Sequence, residues 1–254
     1  MADCNITTAS ARISKMSSHK KISKSKIGGK RLKEIWAQVP PDYYDRGISY
    51  NLLQKLWHTK KLNQVIKLLP KQKNAKTIKV LDIGCSSAIL TNEISKTLKK
   101  SQVTGLDSYK AAIQFARSKY PHIAFVAADA HKLPFKDKRF DLVICTETLE
   151  HVIDPKKALE EMVRVLKKDG RGIISMDSGS PLFRLIWHVW TKTKGRVWQN
   201  AHIHEFNTRL LEQLIRDSGF KIKKKVKSHL GMAVTFLVIP KNKIKKKYQA
   251  LIAA

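Results

Sequence analysis

At 254 residues with 43% hydrophobic side chains, the chain is long enough to bury a core and suits one ordinary domain with attachments, which excludes a wholly disordered protein. Its 50 basic and 20 acidic residues give a formal net charge of +30, concentrated in runs at Lys15–Lys33, Lys221–Lys227 and Lys241–Lys247. Such runs attract RNA phosphates or anionic lipid headgroups unless they are only a solvated surface.

Residues 1–36, rich in Ser, Lys and Thr, read as a basic flexible tail without an apolar block of signal-peptide length, so a cytoplasmic chain is expected. The three cysteines, Cys4, Cys85 and Cys145, have no paired or metal-type spacing, which suits a reducing compartment. Residues 37–76 read as a helical cap: Pro40-Pro41-Asp42-Tyr43-Tyr44-Asp45 is a turn-forming entry, and Ser49–Leu69 is one amphipathic helix ended by Pro70.

From 77 to 240, strand-like stretches near 78–83, 102–106, 123–127, 140–145 and 171–176 alternate with helical ones near 89–99, 109–119 and 156–167. That order predicts a parallel sheet with helices on both faces. An insertion at 178–206 places Phe183, Trp187, Trp190 and Trp198 among Arg184, Lys192, Lys194 and Arg196, a composition for an acceptor pocket, an anionic membrane surface, or stacking on bases. A helix at 207–218 then precedes strands Phe220–Val226 and Met232–Val238, which read as an antiparallel hairpin turning at Ser228-His229. Met232–Ile239 falls far short of the roughly 20 residues of a membrane span, and residues 241–254 form a second basic tail.

The most telling stretch is Asp82-Ile-Gly-Cys-Ser-Ser-Ala88, where an apolar strand runs into a small-residue turn and then a helix, the layout that seats a nucleotide-like ligand over a helix N-terminus. Asp107 and Asp129 each follow another strand-like run. A dinucleotide fingerprint would need glycines at the first, third and sixth turn positions, where this chain has Gly84, Ser86 and Ile89, so that reading is set aside.

The set Asp82-Gly84, Asp107, Asp129 and Phe140–Asp154 resembles the S-adenosylmethionine-binding motifs of class I methyltransferases over about Thr77 to Pro240, with the look of the small-molecule, quinone or lipid branch. The resemblance implies a Rossmann-like, mostly parallel seven-stranded sheet with an antiparallel hairpin at its edge. It also implies S-adenosyl-L-methionine as cofactor and a small-molecule or lipid-like acceptor. By the same resemblance Asp107, with Ser108 beside it, takes the ribose hydroxyls, and Asp129 and Ala130 take the adenine. Asp82, Gly84 and Ser86 shape the methionine side, Thr146 and Glu147 lie near the ligand, and Tyr43, Tyr44 and Trp57 wall the cleft. The chain departs from the family at Ser86 and Ala88, where further glycines are usual.

An acceptor hydroxyl or activated carbon needs a base, and His151, His204 and Glu147 are the candidates. His202 and His204 stand two apart without a third and fourth ligand at a convincing spacing, so no metal is assigned. An RNA methyltransferase using the basic surface, and a non-catalytic scaffold that keeps this fold, are the alternatives. The residues name neither the acceptor atom nor an oligomeric state.

Overall fold

The computed structural model describes residues 34, 36–71, 76–193, 195 and 202–241. The expected basic tails lie outside these residues apart from Glu34, Trp36 and Lys241, as do Cys4, Lys194, Arg196 and Trp198. Helices α1 (Tyr43–Tyr50) and α2 (Leu52–Ile66) precede β1 (Ile78–Ile83), α3 (Ile89–Thr97), β2 (Ser101–Asp107), α4 (Lys110–Lys119), β3 (Ala124–Ala127) and β4 (Phe140–Thr146). Then come α5 (Pro155–Val165), β5 (Leu166–Asp177), α6 (Pro181–Lys192), α7 (Thr208–Asp217), β6 (Phe220–Ser228) and β7 (Ala233–Pro240).

The seven strands form one sheet in the order β3-β2-β1-β4-β5-β7-β6. Pairings from β3 through β5 are parallel, and those of β7 with β5 and β6 are antiparallel, leaving β3 and β6 as edges. Alternation along the central strands divides the core in two. Leu81, Val143 and Ile174 pack with Leu159 and Met162 of α5 and Leu211 and Ile215 of α7, whereas Val80, Leu142 and Ile173 face Val65 of α2 and Ile94 of α3. After β1 the chain winds outward to β2 and β3, then returns to β4 on the other side of β1. The crevice beyond the carboxyl ends of β1 and β4 is therefore the switch point at which such sheets bind ligands.

Three local expectations are corrected. Ser49–Leu69 is not one helix, because Asn51 is extended (φ −131°, ψ 109°) and caps α2 by accepting from Gln54 N at 3.1 Å. Pro40–Asp45 is not all turn, since α1 begins at Tyr43. The strand expected near 171–176 starts earlier: Leu166 is already extended and pairs with Phe140, so Asp169-Gly170 lies inside β5, next to a register shift. Among the described residues no helix is long and apolar enough to cross a membrane.

Candidate functional site

The turn after β1 holds Gly84, Ser86 and Ala88 at φ 76°, 45° and 64°, all left-handed. At Gly84 a Cβ would stand 2.1 Å from Thr148 Oγ1, so the turn and the loop after β4 approach too closely for any side chain. Ser86 and Ala88 hold the same backbone region at a cost in strain. Hydrogen bonds oppose that cost: Gly84 N and Cys85 N donate to Leu106 O at 2.7 and 3.0 Å, and Ser86 N donates to Asp107 Oδ2 at 2.9 Å.

Asp107 ends β2, and its other oxygen, Oδ1, accepts from Tyr109 N at 2.9 Å. Burial raises its pKa while these backbone donors and His151 pull it back. Asp82 is buried beneath the turn, where Oδ2 accepts from Thr91 Oγ1 at 2.7 Å and Oδ1 has no hydrogen-bond partner. Burial, opposed by the Thr91 bond, pushes its carboxyl up to about 7.

A cavity of about 350 Å³ opens over this turn, lined by Gly84, Ser86, Asp107, Ser108, Asp129 and Ala130 on one side and by Glu147, Thr148 and His151 on another. Trp36 and Tyr44 also reach it. Asp82 and Thr146 are not in the lining; the Thr146 carbonyl accepts from Thr148 Oγ1 at 2.8 Å. Asp129 is two-thirds exposed, and its Oδ1 takes both His131 N (2.9 Å) and His131 Nδ1 (2.6 Å), while His131 Nε2 accepts from Asp154 N at 3.0 Å.

A second cavity of about 380 Å³ adjoins the first beneath α6, lined by Glu150, Asp177, Phe183, Trp187, His202 and His204 among others. Its wall carries an aromatic column: Trp57 stacks on Phe183 (6.2 Å between centroids), Phe183 on Trp187 (5.8 Å), and Trp187 on His202 (4.2 Å). His202 in turn meets His151 edge-on at 4.9 Å. His204 lines the cavity apart from this column, with its Nε2 engaged by Val152 O at 2.9 Å.

Between the cavities lies a buried charge cluster. Lys61 of α2 reaches both Glu147 and Asp177, at 2.9 Å from the latter. Glu150 is 3% exposed, and its Oε2 has no hydrogen-bond partner among the described residues. Burial, reinforced by Asp177, pushes the Glu150 carboxyl up to about 8, and burial also raises Glu147. His202 is held neutral, its pKa lowered to about 2 by burial and then by His151 and Lys61.

The structure thus gathers Gly84, Ser86, Asp107, Ser108, Asp129, Ala130, Glu147 and His151 around one cavity, with Asp82 and Thr146 behind it and His204 at the other. Sequence reasoning missed Thr148, His131, Lys61, Glu150 and Asp177. Thr148 and Glu150 lay within a motif already singled out, whereas Lys61 and Asp177 had no local signal.

Residues 81–174 match the family described as a methyltransferase domain. The chain is 27% identical over 144 residues to the ubiquinone/menaquinone biosynthesis C-methyltransferase UbiE of Campylobacter jejuni, over 54% of this chain and 59% of that protein. It is 34% identical over 108 residues to a ubiquinone biosynthesis O-methyltransferase of Alkalilimnicola ehrlichii, over 41% of this chain and 43% of that protein. The chain therefore spans about half the length of these curated relatives. It is also similar to a solved S-adenosylmethionine-dependent methyltransferase of Thermotoga maritima, with a TM-score of 0.61 and 23% identity over 82% of this chain and 99% of that one.

Proposed function

From the similarity of this chain to class I S-adenosylmethionine-dependent methyltransferases, we propose that it is one of them and methylates a small quinone-like or lipid-like acceptor. The bound cofactor supplies a methyl group already activated on a sulfonium, so the protein has mainly to align the acceptor and exclude water. The observation that carries the reading is Asp107 at the cavity, each oxygen fixed by one backbone N–H. A carboxylate oxygen has more than one acceptor site, so both retain capacity for a ribose hydroxyl.

Asp129, steadied by His131, serves the adenine amino group with Ala130, and Ser108 flanks the ribose. Gly84 and Ser86 let the backbone pass the methionine portion, while Asp82, clamped to Thr91, and Thr146, clamped to Thr148, hold the two loops in place. A planar apolar acceptor suits the aromatic wall of the second cavity. Glu147 and His151, on the wall of the first, are the groups placed to take its proton. His204 acts as a positioning residue through Val152 O.

Residues 37–76 serve as a cap and 178–206 as a lid on a domain spanning 77–240. Leu53 and Leu56 of α2 and Leu185 and Val189 of α6 are exposed on the two helices that the Trp57–Phe183 contact joins, which favours a peripheral contact of this protein with an anionic membrane.

Calorimetric titration with S-adenosylmethionine at moderate salt, alongside Asp107→Ala, tests the cofactor site. We expect the variant to lose about 100-fold or more in affinity, as for two lost bonds to a charged group. A wild-type protein that takes up no cofactor would shift the assignment to the scaffold alternative. Mass analysis of quinones and lipids from cells with and without the gene tests the acceptor. No methylation difference there, together with methyl incorporation into RNA, would favour the RNA alternative.

A further inference from the structure

We propose that Glu150, His151 and His202 form a divalent-metal site in the wall between the two cavities. One potential ligand atom from each lies within 4.8 Å of the other two. Two imidazoles and one carboxylate are a donor set suited to Zn²⁺, Mn²⁺, Fe²⁺ or Co²⁺, and three protein ligands leave at least one position open.

The surroundings point to a cation. Among the described residues, Glu147, Glu150 and Asp177 are three carboxylates gathered against one ammonium, Lys61, which is engaged by Glu147 and Asp177. Glu150 is the member left over, with Oε2 buried and without a hydrogen-bond partner among the described residues. A buried carboxylate in that state either holds a proton or meets a cation, since leaving it charged and uncompensated is costly. His202 is set up to ligate. Ile203 N and His204 N donate to Glu150 O at 3.0 and 3.3 Å, which ties the segment after the lid to the Glu150-His151 turn, and stacking on Trp187 orients the ring. The other two ligands were invisible in the spacing of His202 and His204 because they lie some fifty residues upstream and belong with His202, not with His204.

An acceptor oxygen entering from the second cavity would complete the coordination, and the metal would fix its position and acidify a hydroxyl, with Glu147 left to take the proton while His151 holds the ion. This role rests on the proposed methyl transfer, whereas the site itself does not. The test uses the full chain, stripped with a chelator and desalted, and titrated with Zn²⁺ by calorimetry and with Co²⁺ by visible absorption. His202→Ala, Glu150→Gln and His204→Ala are run beside it.

We expect about one ion per chain, a Co²⁺ spectrum of low symmetry, and affinity at least about tenfold weaker in His202→Ala and Glu150→Gln but retained in His204→Ala. S-adenosylmethionine titration of the same samples reports an intact fold and the cofactor site separately. Metal uptake without cofactor binding would sink the methyl-transfer reading alone. A wild type that takes up neither ion, or His202→Ala binding as tightly as wild type, would overturn the metal site and leave Glu150 as a protonated buried acid.

Discussion

Gly84 and Glu150 show how much single residues constrain this site. For Gly84→Ala, the left-handed φ of 76° and the approach to Thr148 act together, so we expect a loss of about 2 kcal/mol or more, a fall in Tm of roughly 4–8 °C, and weaker cofactor binding by calorimetry. Glu150 is expected to show in the pH dependence of the metal-free protein. Its folded pKa of about 8 lies above the ordinary 4.5, so between those values the native state holds a proton that the unfolded chain has released, and stability falls as pH rises through that window. His202 works oppositely: its depressed pKa makes stability fall as pH drops below about 6.5. Thermal melts of Glu150→Gln from pH 5 to 8 should therefore show a smaller decline towards high pH than wild type; an unchanged slope would mean that Glu150 is ionised in the fold. Asp82, Gly84 and Asp107 were legible in the sequence because a polar residue at the end of an apolar run is a local signal. The link from Lys61 to Asp177 spans 116 positions and leaves no periodic trace, and the fate of His204 turned on a carbonyl that no motif marks.

Asn51 illustrates the same limit for elements. The amphipathic pattern runs through it, so periodicity joined α1 and α2, while the residue whose side chain caps α2 ends α1 with its extended backbone. Replacing it in Asn51→Ala should cost about 1 kcal/mol, read as a Tm lower by roughly 2–4 °C. The same variant should weaken the hold of α2 on Lys61 and hence the order of Glu147 and Asp177. Strand and helix positions from β1 through β4 were legible because each buried strand is bounded by polar residues. The start of β5 was not, because Leu166 passes from helix to strand without a turn, and Asp169-Gly170, a turn signal by composition, is carried by the register shift instead.

At the scale of the whole molecule, charge and apolar exposure act together. Sedimentation with phosphatidylglycerol vesicles should recover the protein at low salt. The combined change Leu53→Ser and Leu185→Ser should reduce recovery several-fold while leaving cofactor titration intact, because both side chains are exposed, at 78% and 63%. Equal recovery of wild type and variant would show that the basic surface alone attracts lipid. The lysines of β6 have a further consequence. Lys221, Lys223, Lys224, Lys225 and Lys227 crowd a strand whose one side is unpaired among the described residues, and such an open row of N–H and C=O groups is a template on which a second copy can add a strand. Like charge along that border makes two copies repel before their backbones can join, so part of the positive excess acts as a safeguard against self-polymerisation, independent of any ligand.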